Sequence, residues 1–143
     1  MSRRLARELA LKILYCYDSG RKEIPLIMDE ILDKKKYDSS VKTFTKKLAM
    51  STLNNLESID EQIKGVIKNW EYDRISTIDR LILRIGVCEL LFFEDIPCEV
   101  TINEAIEIAK KYGNDESNKF VNGILDAIAR KTKKLRKHEG SNN

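Results

Sequence analysis

The sequence predicts an all-α fold of about seven helices, on three observations. Apolar residues recur at spacings of three and four in nearly every segment, the period of a helix. No stretch alternates apolar and polar residues as a half-buried strand does. Two prolines and six glycines are too few for the many tight turns of an all-β chain. At 143 residues the length fits one domain with a full hydrophobic core. We read residues 1–135 as that single domain and residues 136–143 as a basic, disordered tail.

The first helix places Leu5, Leu9, Ile13 and Cys16 on one side, and Gly20 stops it. A short second helix carries Pro25 in its first turn, with Ile24, Ile27, Met28, Ile31 and Leu32 as its apolar set. Val41, Phe44, Leu48, Leu53 and Leu56 define a third. Ser58 and Glu61 have the spacing of a capping box, so a fourth is expected from there through Ile63, Val66, Ile67 and Trp70. The segment Ile78 to Phe93 is apolar in almost every direction, the mark of a central helix, with Ser76 and Asp79 as its start and Pro97 as the break after it. Thr101 and Glu104 read as a second capping box opening the next helix, closed by Gly113. The last helix is expected from about Asp115, with Phe120, Val121, Ile124, Leu125 and Ile128 facing inward.

The net charge of +3 conceals a segregated pattern. Residues 1–22 sum to +4, residues 23–129 to −6, and the last fourteen residues to +5. Cationic ends on an acidic body attract polyanions, because each neutralised phosphate releases counterions. The plainer alternative is that basic termini aid solubility, and that Lys131, Lys133, Lys134, Arg136 and Lys137 complement the dipole of a last helix.

Catalytic and metal chemistry find no support in the inventory. The only histidine, His138, falls in the tail, so no metal cluster or Cys–His pair is expected, and no cofactor. Three cysteines without paired spacing suggest a reducing compartment. Cys16 and Cys88 read as small core residues and Cys98, beside Pro97, as an exposed one. No apolar run approaches the roughly 18 residues of a membrane span, and no signal-peptide core follows Arg3, Arg4 and Arg7. A cytoplasmic protein is expected.

Several strings then carry a resemblance: Ala6-Arg7-Glu8 in an Arg-rich first helix, Asp79-Arg80, Leu83-Arg84, Glu89-Leu90, Pro97, Ile102-Asn103-Glu104-Ala105, and Phe120-Val121-Asn122-Gly123-Ile124-Leu125-Asp126. In that order and spacing they resemble the transcription antitermination factor NusB family, over the whole chain apart from the tail after Arg130. The resemblance implies two small helical bundles packed across one another and no catalysis. It implies binding to the single-stranded boxA element of nascent ribosomal RNA leaders, together with NusE, a protein also found in the small ribosomal subunit. That complex helps RNA polymerase read through terminators. Some family members self-associate over the Arg-rich helix, so a homodimer is compatible.

Helix geometry supports an RNA face beside the resemblance. At 100° per residue, Arg3, Arg4, Arg7 and Lys12 spread opposite Leu5, Leu9 and Ile13. The arginine fork can pair two phosphate oxygens and stack on an unpaired base. On that expectation, Arg7→Ala weakens RNA binding by roughly 1–3 kcal/mol, the range of a good bidentate contact. The bland alternative is a salt-bridge ladder of Arg4, Glu8 and Lys12, which leaves Arg3 and Arg7 unpaired. Ser117, Asn118, Lys119 and Phe120, at the start of the last helix, form a second expected patch, which the resemblance places near the Arg-rich helix, with Phe120 divided between core and base stacking. Tyr15, Asp73 and Asp79 match family positions that meet the basic NusE. Arg84 and Glu89 read as members of an internal ion-pair network. The rival from another class is a helical protein–protein adaptor, or homodimer, whose basic ends are incidental.

Overall fold

The computed structural model describes the backbone of residues 2–20 and 22–141, and the side chains of these residues except 69, 70 and 133–141. Among the described residues there are eight helices and no strand: α1 (Arg3–Asp18), α2 (Ile24–Leu32), α3 (Ser39–Asn54), α4 (Leu56–Lys64), α5 (Asn69–Arg74), α6 (Thr77–Phe92), α7 (Cys98–Tyr112) and α8 (Ser117–Ser141). One more helix forms than the sequence predicts. The run expected to be continuous from Ser58 to Trp70 breaks after Lys64, where Gly65 caps α4, and a separate short α5 follows.

The chain makes two groups of helices, α1–α3 and α4–α8, joined through α6. That helix touches α1, α3, α4, α7 and α8, as its nearly all-round apolar surface predicts. Leu83, Val87 and Cys88 on it are fully buried. On α1, Ala6, Ala10 and Ile13 are fully buried, and small residues there let α3 come close enough for the Thr45 hydroxyl to lie 3.3 Å from the Ala6 carbonyl. Gly20, at φ +74°, ends α1 in the left-handed region that side chains disfavour.

Two expected capping boxes do not form. Helix α4 already begins at Leu56, so Ser58 lies inside it. Helix α7 starts with Pro97 as its N-cap, one turn ahead of Thr101, whose side chain is turned inward. At α6 the cap is as expected: the Ser76 hydroxyl accepts the Asp79 N–H at 3.2 Å. Two cysteine expectations also reverse. Cys16 is exposed, lining the open cleft between α1 and α2, and Cys98, the first residue of α7 after Pro97, is buried.

Arg84 and Glu89 of α6 are paired with charged groups on other helices, not with one another. Arg84 donates two hydrogen bonds to Asp60 of α4, at 2.9 and 3.0 Å, and a third to the Tyr72 hydroxyl of α5 at 3.2 Å. Arg80 donates to the Ile75 carbonyl at 3.2 Å, tying down the end of α5. The backbone of α8 is helical to Ser141. The side chains expected to make a basic tail, including Lys133, Lys134, Arg136, Lys137 and His138, lie outside the described residues, as do Trp70, Asn142 and Asn143.

Candidate nucleic-acid interface

The N-terminus of α1 opens into a cleft of about 540 Å³. Ser2, Arg3, Arg4 and Arg7 line one wall, and Asp95, Pro97, Val100 and Glu104 the other. Ser2 caps α1 by accepting the Leu5 N–H at 3.2 Å, which fixes the first turn and with it the direction in which Arg3 and Arg4 leave the backbone. Arg3 is half-exposed, its guanidinium 4.7 Å from the centre of the Phe44 ring and 3.9 Å from the Asp95 carboxylate. Arg4 is more exposed and forms a fork-to-fork pair with Glu104, at 2.6 and 3.1 Å. That hydrogen bond holds the Glu104 carboxyl below its ordinary 4.5, outweighing the opposite effect of partial burial.

Arg7 differs from its neighbours. It is 3% exposed and donates two hydrogen bonds of 2.7 Å to Glu89, itself 1% exposed. The Thr101 hydroxyl donates to the same carboxylate at 3.0 Å. The expectation that Arg7 projects to solvent with Arg3 and Arg4 is therefore corrected. The wheel that sets it opposite Leu5 and Leu9 does not see α6 and α7, which cover that side of α1. Glu89 joins an internal network as expected, with an arginine 82 residues away as its partner.

The alternative ladder of Arg4, Glu8 and Lys12 does not form either. Arg4 turns to α7 instead. Glu8 accepts from Lys111 at 2.6 Å and from the Tyr112 hydroxyl at 2.8 Å. Despite the cost of partial burial, these two hydrogen bonds leave the Glu8 carboxyl below its ordinary 4.5. The contacts from Arg4 to Glu104 and from Glu8 to Tyr112 define a seam along which α1 and α7 run in the same direction. The seam starts at the arginine cleft and ends at the turn before α8, and Lys12, exposed, lies one helical turn beyond Glu8. Lys111, exposed on that seam, is a cation that sequence reasoning missed. Its only signal was the Lys110-Lys111 pair in the last turn of α7.

The second expected patch is partly structural. Ser117 is buried and its hydroxyl accepts the Asn114 N–H at 2.9 Å, while Asn114 Oδ1 accepts the Glu116 N–H at 2.9 Å. A Cβ on Gly113 would fall on Ser117 Oγ and lie 2.8 Å from the Ala109 carbonyl, so glycine is what lets the turn close. Ser117 is thus a cap and not a surface donor. Lys119 is exposed, Asn118 intermediate, and Phe120 partly buried against the core.

The three expected partner positions divide. Tyr15 is 47% exposed beside a cleft of about 480 Å³ between α1 and α2, and Asp73 is exposed on α5. Asp79 is 7% exposed, and its Oδ1 has no hydrogen-bond partner among the described residues. It reaches only the wall of a separate depression shared with Arg74, Glu116 and Phe120. Its place in the first turn of α6 draws it inward, where it complements the helix dipole. Among the described residues, no cluster of His, Cys, Asp or Glu is placed to hold a metal, and no helix is long and apolar enough to cross a membrane.

Comparison with known proteins sets this geometry in context. A model of the NusB family matches residues 4–130. Transcription antitermination protein NusB of Nitratiruptor sp. is 44% identical over 132 residues, covering 92% of this chain and 94% of that protein. The protein of the same name from Fervidobacterium nodosum is 45% identical over 128 residues, 90% of each. Among solved structures, T. maritima NusB superimposes with a TM-score of 0.84 at 44% identity, over 91% of this chain and 92% of that one. A crystal structure of antitermination factors NusB and NusE in complex with dsRNA matches with a TM-score of 0.81 at 29% identity, over 90% of this chain and 96% of that one. By sequence over nine-tenths of its length and by fold, this chain belongs to the NusB family.

Proposed function

We propose that this protein is a transcription antitermination factor that binds boxA RNA of ribosomal RNA leader transcripts, together with NusE, and so promotes read-through by RNA polymerase. The observation that carries the reading is the cleft at the head of α1, where Arg3 and Arg4 present two accessible guanidinia from one capped helical turn. A planar fork that can hold the Glu104 carboxylate at two points can hold a phosphate in the same way. Single-stranded RNA supplies both phosphates and unstacked bases, and in this reading Arg3, Arg4, Lys12 and Lys119 meet the phosphates, with the partly buried Phe120 at the edge of the path. Asn118 contributes at the rim. Ser117 acts by holding the turn, and Arg7 by a route taken up below.

In this reading the protein works in the cytoplasm, uses no cofactor and has no catalysis of its own. In this reading NusE meets the exposed Tyr15 and Asp73, and Asp79, buried in the first turn of α6, is not a direct contact. The exposed Tyr15, Tyr17 and Leu26 favour a protein surface on α1 and α2, and they equally support the rival, a helical adaptor or homodimer with incidental basic ends.

A fluorescence anisotropy titration with a single-stranded boxA oligonucleotide, a scrambled strand and a duplex, with and without NusE, tests the reading. Tightest binding to the boxA strand, strengthened by NusE and weakening steeply with salt, is expected. Binding that is absent, or indifferent to sequence and to salt, favours the adaptor. Asp73→Lys should weaken NusE capture without loss of helicity. It is a cleaner probe than a reversal at Asp79, which would bury a cation.

A further inference from the structure

We propose that Glu89 is a positioning residue for the α1 cleft: through its pair with Arg7 it sets both walls of the cleft and withholds Arg7 from direct contact with the ligand. The inference rests on the reading of that cleft as the RNA-binding site. Its basis is one buried carboxylate that ties three helices together. Glu89 sits on α6, accepts both hydrogen bonds of the Arg7 fork from α1 at 2.7 Å, and accepts the Thr101 hydroxyl from α7 at 3.0 Å. Arg3 and Arg4 lie four and three residues before Arg7, so by helical geometry they leave α1 on the same side, one turn up. Val100 and Glu104, in the opposite wall, flank Thr101 on α7. The Phe44 ring meets Arg3 at 4.7 Å and Arg7 at 5.7 Å, so a displaced Arg7 would disturb the surface on which Arg3 rests. With Arg7 and Glu89 at 3% and 1% exposure, neither is available to a phosphate in this arrangement.

The sign of one substitution separates positioning from electrostatics. Removing a carboxylate near a polyanion site ordinarily tightens binding, because repulsion falls and the net charge rises. Glu89→Gln should do the reverse, since it leaves a buried guanidinium without its counter-ion and loosens both walls. Glu104→Gln is the charge-matched control: it makes the same change in net charge and frees the accessible Arg4.

Affinity for single-stranded boxA RNA would be measured across a salt series by anisotropy. We expect Glu89→Gln to weaken binding at least fivefold and Glu104→Gln to tighten it. Tighter binding by Glu89→Gln overturns the proposal, because it means that a released Arg7 serves the ligand directly. Should Glu89→Gln fail to fold, Arg7→Met/Glu89→Leu removes both charges at similar volume. The proposal expects that double variant, whose two walls have lost their tie, to bind less tightly while leaving the slope of log affinity against log salt unchanged. A folded double variant with a slope reduced by about 0.7, the loss of one phosphate contact to a single strand, overturns it. Failure of the unsubstituted protein itself to bind any of the RNAs would instead refute the reading of the cleft.

Discussion

Arg7→Met should be among the most destabilising single substitutions in the protein. Arg7 and Glu89 are almost wholly buried and share two hydrogen bonds of 2.7 Å. Replacing the arginine leaves a buried carboxylate with only the Thr101 hydroxyl as a partner. Breaking a buried pair on one side costs about 3–5 kcal/mol. Domains of this size are stable by about 5–15 kcal/mol, so the variant should still fold, with Tm lowered by roughly 10–20 °C. Arg7→Met/Glu89→Leu, which removes both charges, should lie within about 1 kcal/mol of the parent protein. Urea unfolding of the parent, both single variants and the double variant, followed by circular dichroism at a common m value, gives the coupling energy. A coupling of at least about 2 kcal/mol is expected. Additive effects, or a cost below about 1 kcal/mol for Arg7→Met, would refute the view that this pair is a structural joint.

Three further outcomes follow from the geometry. A thiol reagent at mildly alkaline pH should label Cys16 rapidly and leave Cys88 and Cys98 intact until unfolding, since Cys16 is exposed and the others are buried. Burial pushes the Cys88 thiol up to about 11, against a smaller opposing hydrogen bond with Thr52. Rapid labelling of a second thiol in the folded protein contradicts the packing. Gly113→Ala should lower stability by about 1–3 kcal/mol, because the new methyl group displaces Ser117 from the turn; an unchanged Tm would show that the turn has room. Glu104 should titrate below its ordinary 4.5 by carboxyl NMR and return toward it in Arg4→Gln. Because the folded value lies below the unfolded one, the contribution of this pair to stability is present above about pH 4.5 and is lost as pH falls through the depressed value. A Glu104 titration unmoved by Arg4→Gln would mean that the pair does not form in solution.

Much of the fold is legible in the sequence because it is written in local patterns. The all-round apolar character of Ile78 to Phe93 marks α6 as central, and the Ser76–Asp79 spacing gives its cap. Pro97 misleads at α7. Its fixed φ suits a helix start and opens the helix a turn early, which frees Thr101 to reach Glu89. The site is less legible, for a related reason. Arg3, Arg4 and Arg7 look alike on a helical wheel, yet their fates are set by acids on α6, on α7 and in the turn between them. Asp95, Glu104 and Glu89 lie 82 to 100 positions away, and only the packing of α6 and α7 decides which arginine is covered. The same holds for Asp79, whose cap position is local but whose burial is not.

In the proposed reading, RNA meets the cleft at Arg3 and Arg4 and the start of α8 beyond Gly113. Photocrosslinking of a thiouridine-substituted boxA strand, with the attached peptides mapped by mass spectrometry, tests it most directly. Crosslinks should fall on the first turn of α1 and on residues 118–120. Crosslinks confined to α2, α3 or α5, with α1 untouched, would contradict the account.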